Sequence, residues 1–347
     1  MRRFWITPIV WLCSFSSMAE TQFAETQMAK TPIPVTSISA TPISETQGAE
    51  QLPTYQKVSG VSGILTSVGS DTLATLMLLW AQEFQKIYPN INIQIQASGS
   101  STAPTALTEA TSQLGPMSRP MKAKEIESFK HQYGYPPVQL RVAIDAIGIF
   151  VNKDNPIAGL NFQQLDAIFS STLKCGAVRP LTQWQDLGVQ AEWAKLGFQL
   201  FGRNSVSGTY GYFKQHALCN GDFKRAVNEQ PGSASVVQSV ASSINGIGYS
   251  GVGYHVSKAR LVPISQDGQE YITPTRDNIL NGEYPLARYL YVYINKNPLK
   301  PLPKLQAEFL KFIYSKQGQL NVEKDGYMSL SPSLAQSQLQ KVGLSLP

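Results

Sequence analysis

The sequence predicts an α/β protein built on parallel strands, and three observations carry that prediction. A strand, a Ser/Gly-rich turn and a helix follow one another twice between residues 61 and 113. The same succession returns at Phe201–Phe213, FGRNSVSGTYGYF, which sets Arg203, Ser205, Ser207, Gly208 and Thr209 just ahead of a helix. The 347 residues are enough for two cores, and only 15% of them are charged. Repeated strand–turn–helix units build parallel sheets whose ligands sit at strand carboxyl ends and helix amino ends.

The chain opens with Arg2 and Arg3, a short apolar core at Phe4–Phe15 and the triplet Ser17-Met18-Ala19. This is the layout of a secretory signal peptide cleaved near Ala19, with an apolar run shorter than a membrane span. Removing residues 1–19 lowers the formal charge from +6 to +4, with 27 basic against 23 acidic residues. So modest a field suits small anions, and without a basic tract it argues against nucleic acid. Residues 20–59 are expected to be a disordered Thr/Pro/Gln-rich spacer. They repeat Glu-Thr-Gln from Glu20, Glu25 and Glu45, and hold too little apolar surface to offset chain entropy.

Order is expected from Gly60. Val61–Val68 reads as a strand, and Leu73–Tyr88 as a helix with apolar residues at 73, 76, 77, 80, 84 and 87, stopped by Pro89. Ile91–Ile95 alternates as a strand. Ser98–Thr102 then turns into a helix at Pro104–Gln113, and Leu114–Met121 is a third polar turn before a helix at Lys122–Tyr133. Val138–Val151 is a long apolar strand interrupted by Arg141 and Asp145. A buried acid there needs a partner, either a neighbouring loop or a group in a cleft. Further helices are expected at Phe162–Phe169, Thr209–Leu218, Gly221–Val227, Ser233–Ser243 and Leu302–Asn321. Further strands are expected at Phe198–Phe201, Gly246–Tyr254, Arg260–Ile264 and Arg288–Asn295. Residues 330–346 show no clear period. Tyr210, Tyr212, Phe213, Tyr249 and Tyr254 are assigned to the core.

At Phe201–Phe213 the chemistry is that of an oxyanion site. Helix-start N–H groups are unpaired and lie at the positive end of the helix dipole. Arg203 adds a bidentate donor, Ser205, Ser207 and Thr209 add hydroxyls, and Gly208 lets the backbone approach an anion. The same residue types also serve as an ordinary helix cap. With Cys13 inside the signal, Cys175 and Cys219 remain as an even pair in an exported chain, a candidate disulfide with two separate thiols as the alternative.

Several segments together resemble a known family: Gly69-Ser70-Asp71-Thr72-Leu73, Ser98-Gly99-Ser100-Ser101, Met117-Ser118-Arg119-Pro120, Gly202–Thr209, Gln230–Ser235 and Gly246–Tyr249. In order and spacing they are similar to the PstS-type phosphate-binding subunits of bacterial phosphate ABC importers. The resemblance runs from about Gly60 to the C-terminus. It implies a two-lobed type II periplasmic-binding-protein fold with a ligand cleft between lobes. One lobe would comprise 60–148 and 286–347, the other 149–285. Ser70, Asp71 and Thr72 would donate from the first helix start, Ser100 from the second, and Ser207, Gly208 and Thr209 from the third, beside Arg203. The third turn, with Ser118 and Arg119, departs from the Asp that many members carry there to accept the proton of hydrogen phosphate. The resemblance further implies no catalytic residue, cofactor or metal. It implies a periplasmic or secreted monomer that hands inorganic phosphate to an ABC permease in the inner membrane.

A preference for phosphate requires an acceptor, because phosphate keeps a proton at neutral pH and sulfate does not. A carboxylate in the cleft accepts that proton and repels sulfate. Asp145, which interrupts an apolar strand near the expected hinge, is the first candidate and Asp71 the second. Arg119 is expected to be a second cation in the cleft or the partner of Asp145. Rival readings are a receptor for sulfate, molybdate or a phosphonate, a secreted adhesion or matrix protein, and a hydrolase. The last is disfavoured: Ser250 lies in Gly-Tyr-Ser-Gly-Val, not a nucleophile elbow, and His131, His216 and His255 are scattered.

Overall fold

The computed structural model describes residues 48–347. The signal peptide expected at 1–19 and the spacer before Gly48 lie outside the described residues. Residues 48–55, also expected in the spacer, are packed through three side chains instead. Ala49 and Leu52 are buried, and the Tyr55 ring makes edge contacts with Phe84 and Phe312. The Tyr55 hydroxyl donates to Glu308 at 2.8 Å and lies 2.7 Å from the Tyr88 hydroxyl. One amphipathic ring with two polar partners anchors a stretch that composition reads as too polar to fold.

The elements run β1 (Gly63–Val68), α1 (Ala74–Ile87), β2 (Ile91–Gln96), α2 (Ala103–Thr108), β3 (Gly115–Met117), α3 (Ala123–Tyr133) and β4 (Val138–Asn152). They continue with β5 (Leu160–Asn161), α4 (Phe162–Phe169), β6 (Gln199–Arg203), α5 (Gly208–His216), β7 (Val227–Gln230), α6 (Ser233–Ala241), β8 (Gly246–Gly251), β9 (Ala259–Val262), β10 (Ile264–Ser265) and α7 (Arg276–Leu280). The chain ends with β11 (Ala287–Ile294), α8 (Lys304–Ile313), α9 (Lys316–Lys324) and α10 (Pro332–Gln340).

The expected parallel pairing is present at β1 with β2, and at β6 with β7 and β8. β1 and β2 form a two-stranded sheet of their own, while β6, β7 and β8 lie in a mixed sheet of the order β3-β11-β4-β8-β6-β7, with β9 also on β4. The fifteen-residue β4 is its spine. The first part of β4 pairs antiparallel with β11, and its last residues pair with β8 and β9. All but the first few residues of β4 are buried, as an apolar run in a strand covered on both faces should be. Trp80 and Phe84 of α1 pack with Phe309 and Phe312 of α8 in the main core.

Four local expectations are corrected. Gly221–Val227 is not a helix: the chain turns after Cys219 and Asn220, both with positive φ, and enters β7. Leu302–Asn321 is two helices, because the Ser315 hydroxyl accepts the Gly318 N–H and starts a new one. The unpatterned tail contains α10, with Ser331 as its N-cap and Pro332 in its first turn. The helix expected to reach Gln113 ends at Thr108, and Gly115–Met117 of the third polar turn is β3. Among the described residues no helix is long and apolar enough to cross a membrane.

Candidate anion-binding site

Two helix starts are built the same way. Before α1 the Ser70 hydroxyl accepts the Thr72 N–H at 3.2 Å, and before α5 the Ser207 hydroxyl accepts the Thr209 N–H at 3.2 Å. A Ser-x-Thr turn therefore fixes each threonine by a short local bond. The sheet aims them: Ser70 N–H donates to the Pro116 carbonyl of β3 at 2.7 Å, and β6 delivers the chain to Ser207.

The turns meet. Thr72 Oγ lies 3.1 Å from Thr209 Oγ and donates to Ser118 Oγ at 3.4 Å, and Ser118 Oγ lies 3.2 Å from Ser100 Oγ. Ser118 N–H donates to Ser100 Oγ at 3.0 Å. Ser70, Thr72, Ser100, Ser118, Ser207 and Thr209 are all buried. Gly208 is needed at this junction, since a Cβ there would stand 2.4 Å from Ser100 Oγ and 2.5 Å from Ser118 Oγ. Gly99 has φ +117° and packs against the Val206 carbonyl, which accepts the Ser101 N–H at 3.1 Å.

Arg203 ends β6 with its guanidinium fully buried. Nη1 donates to Ser233 Oγ at 2.8 Å, Nη2 to the Pro231 carbonyl at 3.0 Å, and Nε to the Gln230 carbonyl at 3.4 Å. Asp71 Oδ2 sits 2.5 Å from Nη2 as an ion pair, and Asp71 Oδ1 has no hydrogen-bond partner. Three of the five guanidinium N–H groups go to Gln230, Pro231 and Ser233. The backbone N–H of Arg203 donates to the Tyr249 hydroxyl at 3.2 Å, and the Tyr249 ring stacks on Phe213 at 4.0 Å. Tyr249 and Phe213 are thus core residues that brace the arginine.

The expected partnership of Arg119 with Asp145 is corrected. Arg119 forks onto Glu125 at 2.7 and 2.8 Å and reaches Ser101 Oγ at 3.2 Å. Glu125 is six residues away and already accepts the Lys122 N–H at the start of α3, so a local partner is in place. Asp145 pairs with Arg288, which donates to Asp145 Oδ2 from Nε at 2.9 Å and from Nη2 at 2.7 Å. Arg288 also donates from Nη1 to the Ser118 carbonyl and from Nη2 to Thr209 Oγ, each at 3.0 Å. Burial pushes the Asp145 carboxyl up, and the Arg288 fork offsets part of that. Arg288 thus stands between Asp145 and the hydroxyl cluster.

Arg288 was missed from sequence. The signal was present in two halves: Asp145 needed a partner, and Arg288 is the one charge in the return strand. Only the register of β4 with β11 sets them opposite each other. Two tyrosines also bear on the cluster, since Tyr327 donates to the Thr72 carbonyl at 2.7 Å and Tyr254 at 3.4 Å. Tyr254, assigned to the core, is partly buried and makes this contact. Cys175 and Cys219 form a disulfide with Cα atoms 5.3 Å apart, fastening the end of α5 to the segment after α4. Among the described residues no group of His, Cys, Asp or Glu could hold a metal ion.

The arrangement gathers hydroxyl and guanidinium donors, with the Asp71 carboxylate beside Arg203 and the Asp145 carboxylate beside Arg288. Residues 39–317 match the model of the PBP superfamily domain. The chain is 59% identical over 294 residues to the phosphate-binding protein PstS of Pseudomonas aeruginosa, covering 84% of this chain and 91% of that one. A crystal structure of a possible phosphate binding protein from Planctomyces limnophilus superposes with a TM-score of 0.60 at 28% identity, covering 82% of this chain and 100% of that one. The fold is shared with an ABC-type phosphate transport receptor from Vibrio cholerae, with a TM-score of 0.59 at 19% identity over 77% of this chain and 100% of that one.

Proposed function

We propose, on the premise that this chain belongs to the PstS family of phosphate-binding proteins within the PBP superfamily, that it binds inorganic phosphate and delivers it to an ABC importer. It is exported by its signal peptide and acts in the periplasm as a monomer without enzymatic activity. Residues 60–148 with 286–347 form one lobe and 149–285 the other. The observation that supports this reading most is the meeting of the Thr72, Ser100, Ser118 and Thr209 hydroxyls, from turns distant in sequence, beside two buried arginines.

A tetrahedral anion takes donors from several directions. Thr72, Ser100 and Ser118 approach from one lobe, and Ser207, Gly208, Thr209 and Arg203 from the other. Binding to both lobes favours the closed state, since an open cleft makes only half of these bonds. Arg203 is balanced by Asp71 and Arg288 by Asp145, so recognition depends on hydrogen-bond direction as much as on charge. Asp71 is the acceptor for the ligand proton. Its buried Oδ1 has no donor, and a P–O–H would supply one, whereas sulfate has no proton to offer. Asp145, the first candidate from sequence, serves to hold Arg288.

Calorimetric titration of the mature protein, freed of bound anion, tests the reading. Tight one-to-one phosphate binding without a sulfate response is expected at neutral pH. No heat from either anion would overturn it and make the serines and threonines helix caps only.

A further inference from the structure

We propose that Arg288 is a positioning residue that makes Thr209 an obligatory donor to the ligand, an inference that rests on the phosphate-binding reading above. A threonine hydroxyl has one proton and two lone pairs, and its rotor is free unless a neighbour fixes it. A guanidinium has five donors and no acceptor. Arg288 Nη2, 3.0 Å from Thr209 Oγ, therefore always fills a Thr209 lone pair and turns the O–H proton away from itself. Thr72 Oγ, 3.1 Å away, spends its own proton on Ser118 Oγ, which directs the Thr209 proton toward Thr72, where the hydroxyl cluster lies. A ligand oxygen that enters on that side meets the Thr209 proton.

Arg288 can do this because it is held on every side. Asp145 lies opposite it in the β4–β11 register and takes both Nε and Nη2. The Ser118 carbonyl takes Nη1, and the Tyr212 ring lies 5.6 Å from the guanidinium carbon. Tyr212 is itself fixed, donating to the Ala287 carbonyl at 2.8 Å. Arg288 is 3% exposed. One fork thus ties Ser118, on the lobe of α1, to Thr209, on the lobe of α5. With Thr209 confined to donating, Asp71 is left to take the ligand's proton, and the site reads a singly protonated tetrahedral oxyanion.

A double-mutant cycle on the full mature chain tests this, using phosphate titration and stopped-flow release. Arg288→Gln and Thr209→Val are each expected to weaken binding at least tenfold and to speed release. The pair together is expected to be no more than twofold worse than the weaker single variant, because one substitution has already removed what the other acts through. Thr209→Ser, which keeps the hydroxyl, is expected to restore affinity to within about threefold of the wild type. Additive losses, or a folded Arg288→Gln protein with unchanged affinity, would overturn the proposal. If Arg288→Gln fails to fold, Arg288→Lys enters the same cycle, because one ammonium replaces the fork beside Asp145, and additive or absent losses overturn the proposal equally. Failure of the wild type to bind phosphate would sink the functional reading instead, and the two failures are told apart by that first titration.

Discussion

Asp71 Oδ2 stands 2.5 Å from Arg203 Nη2, and Asp71 Oδ1 has no hydrogen-bond partner. A carboxylate this close to an arginine fork normally takes two N–H bonds. Here three of the N–H groups are directed at Gln230, Pro231 and Ser233, so Asp71 balances the charge through Oδ2 and keeps Oδ1 as an acceptor.

Asp71→Asn is therefore expected to lower discrimination between phosphate and sulfate by roughly tenfold or more, about 1.4 kcal/mol. The amide removes the charge that opposes sulfate and adds a donor sulfate can use. Competitive titration of the variant with both anions reads the ratio, and an unchanged ratio removes Asp71 from the acceptor role.

Asp145→Asn should act differently. It leaves Arg288 buried beside a neutral amide, so it is expected to destabilise the fold by about 3–5 kcal/mol, the range for breaking a buried ion pair. The anion ratio of the surviving folded protein should stay near that of the wild type. Denaturant unfolding and titration on the same sample separate the two effects, and sulfate binding gained at full stability would return Asp145 to the cleft.

Gly208→Ala places a methyl 2.4 Å from Ser100 Oγ and 2.5 Å from Ser118 Oγ, atoms of turns distant in sequence. Overpacking of this kind costs about 1–3 kcal/mol, and lobes free to separate express it as incomplete closure. Phosphate affinity is expected to fall on the order of tenfold, with the melting temperature less affected. Equal affinity in the variant would show that the turns do not close on the ligand as packed here.

Stability should carry a pH signature from Asp325. Burial, with the nearby Asp145 charge, raises its carboxyl to about 7, and the Leu76 N–H offsets part of that. Between about pH 4 and 7 the folded chain then holds a proton that the unfolded chain has released, so stability from this group falls as pH rises across that window. It is greatest below the unfolded value and level above 7. Asp325→Asn should raise the melting temperature at pH 8 and lose that advantage toward pH 4. A gain that is equal at both pH values would assign the effect to packing.

Cys175 and Cys219 close a loop with a sequence separation of 44. Replacing both by serine is expected to remove about 2–4 kcal/mol of stability, chiefly by freeing the unfolded chain. Phosphate binding should survive, since neither cysteine touches the hydroxyl cluster. Denaturant midpoints of the two proteins check the first point, and titration the second.

Much of the site was legible because its signals are local. Ser70 with Thr72 and Ser207 with Thr209 are two residues apart, and each pair forms its bond within one turn whatever the rest of the chain does. Arg119 and Glu125 are also close in sequence, six residues apart, although Arg119 was expected to be a second cation in the cleft or the partner of Asp145. Tyr55 shows the opposite limit. Its polar surroundings in sequence pointed to disorder, and its order comes from Phe84, Tyr88, Glu308 and Phe312, distant along the chain.

The sequence by itself determined the strand–turn–helix units, the helix-start donors and the even cysteine pair, because each depends on residues that are neighbours or on composition. Only the tertiary structure decided which carboxylate faces which arginine. Asp145 and Arg288 are 143 residues apart and meet because β4 and β11 pair in one register. Asp71 and Arg203 meet because two separate sheets aim their carboxyl ends at one place. A side chain's charge is written in the sequence, but the direction in which it is neutralised depends on strand register and the approach of distant turns, and these are set by the packing of the whole chain.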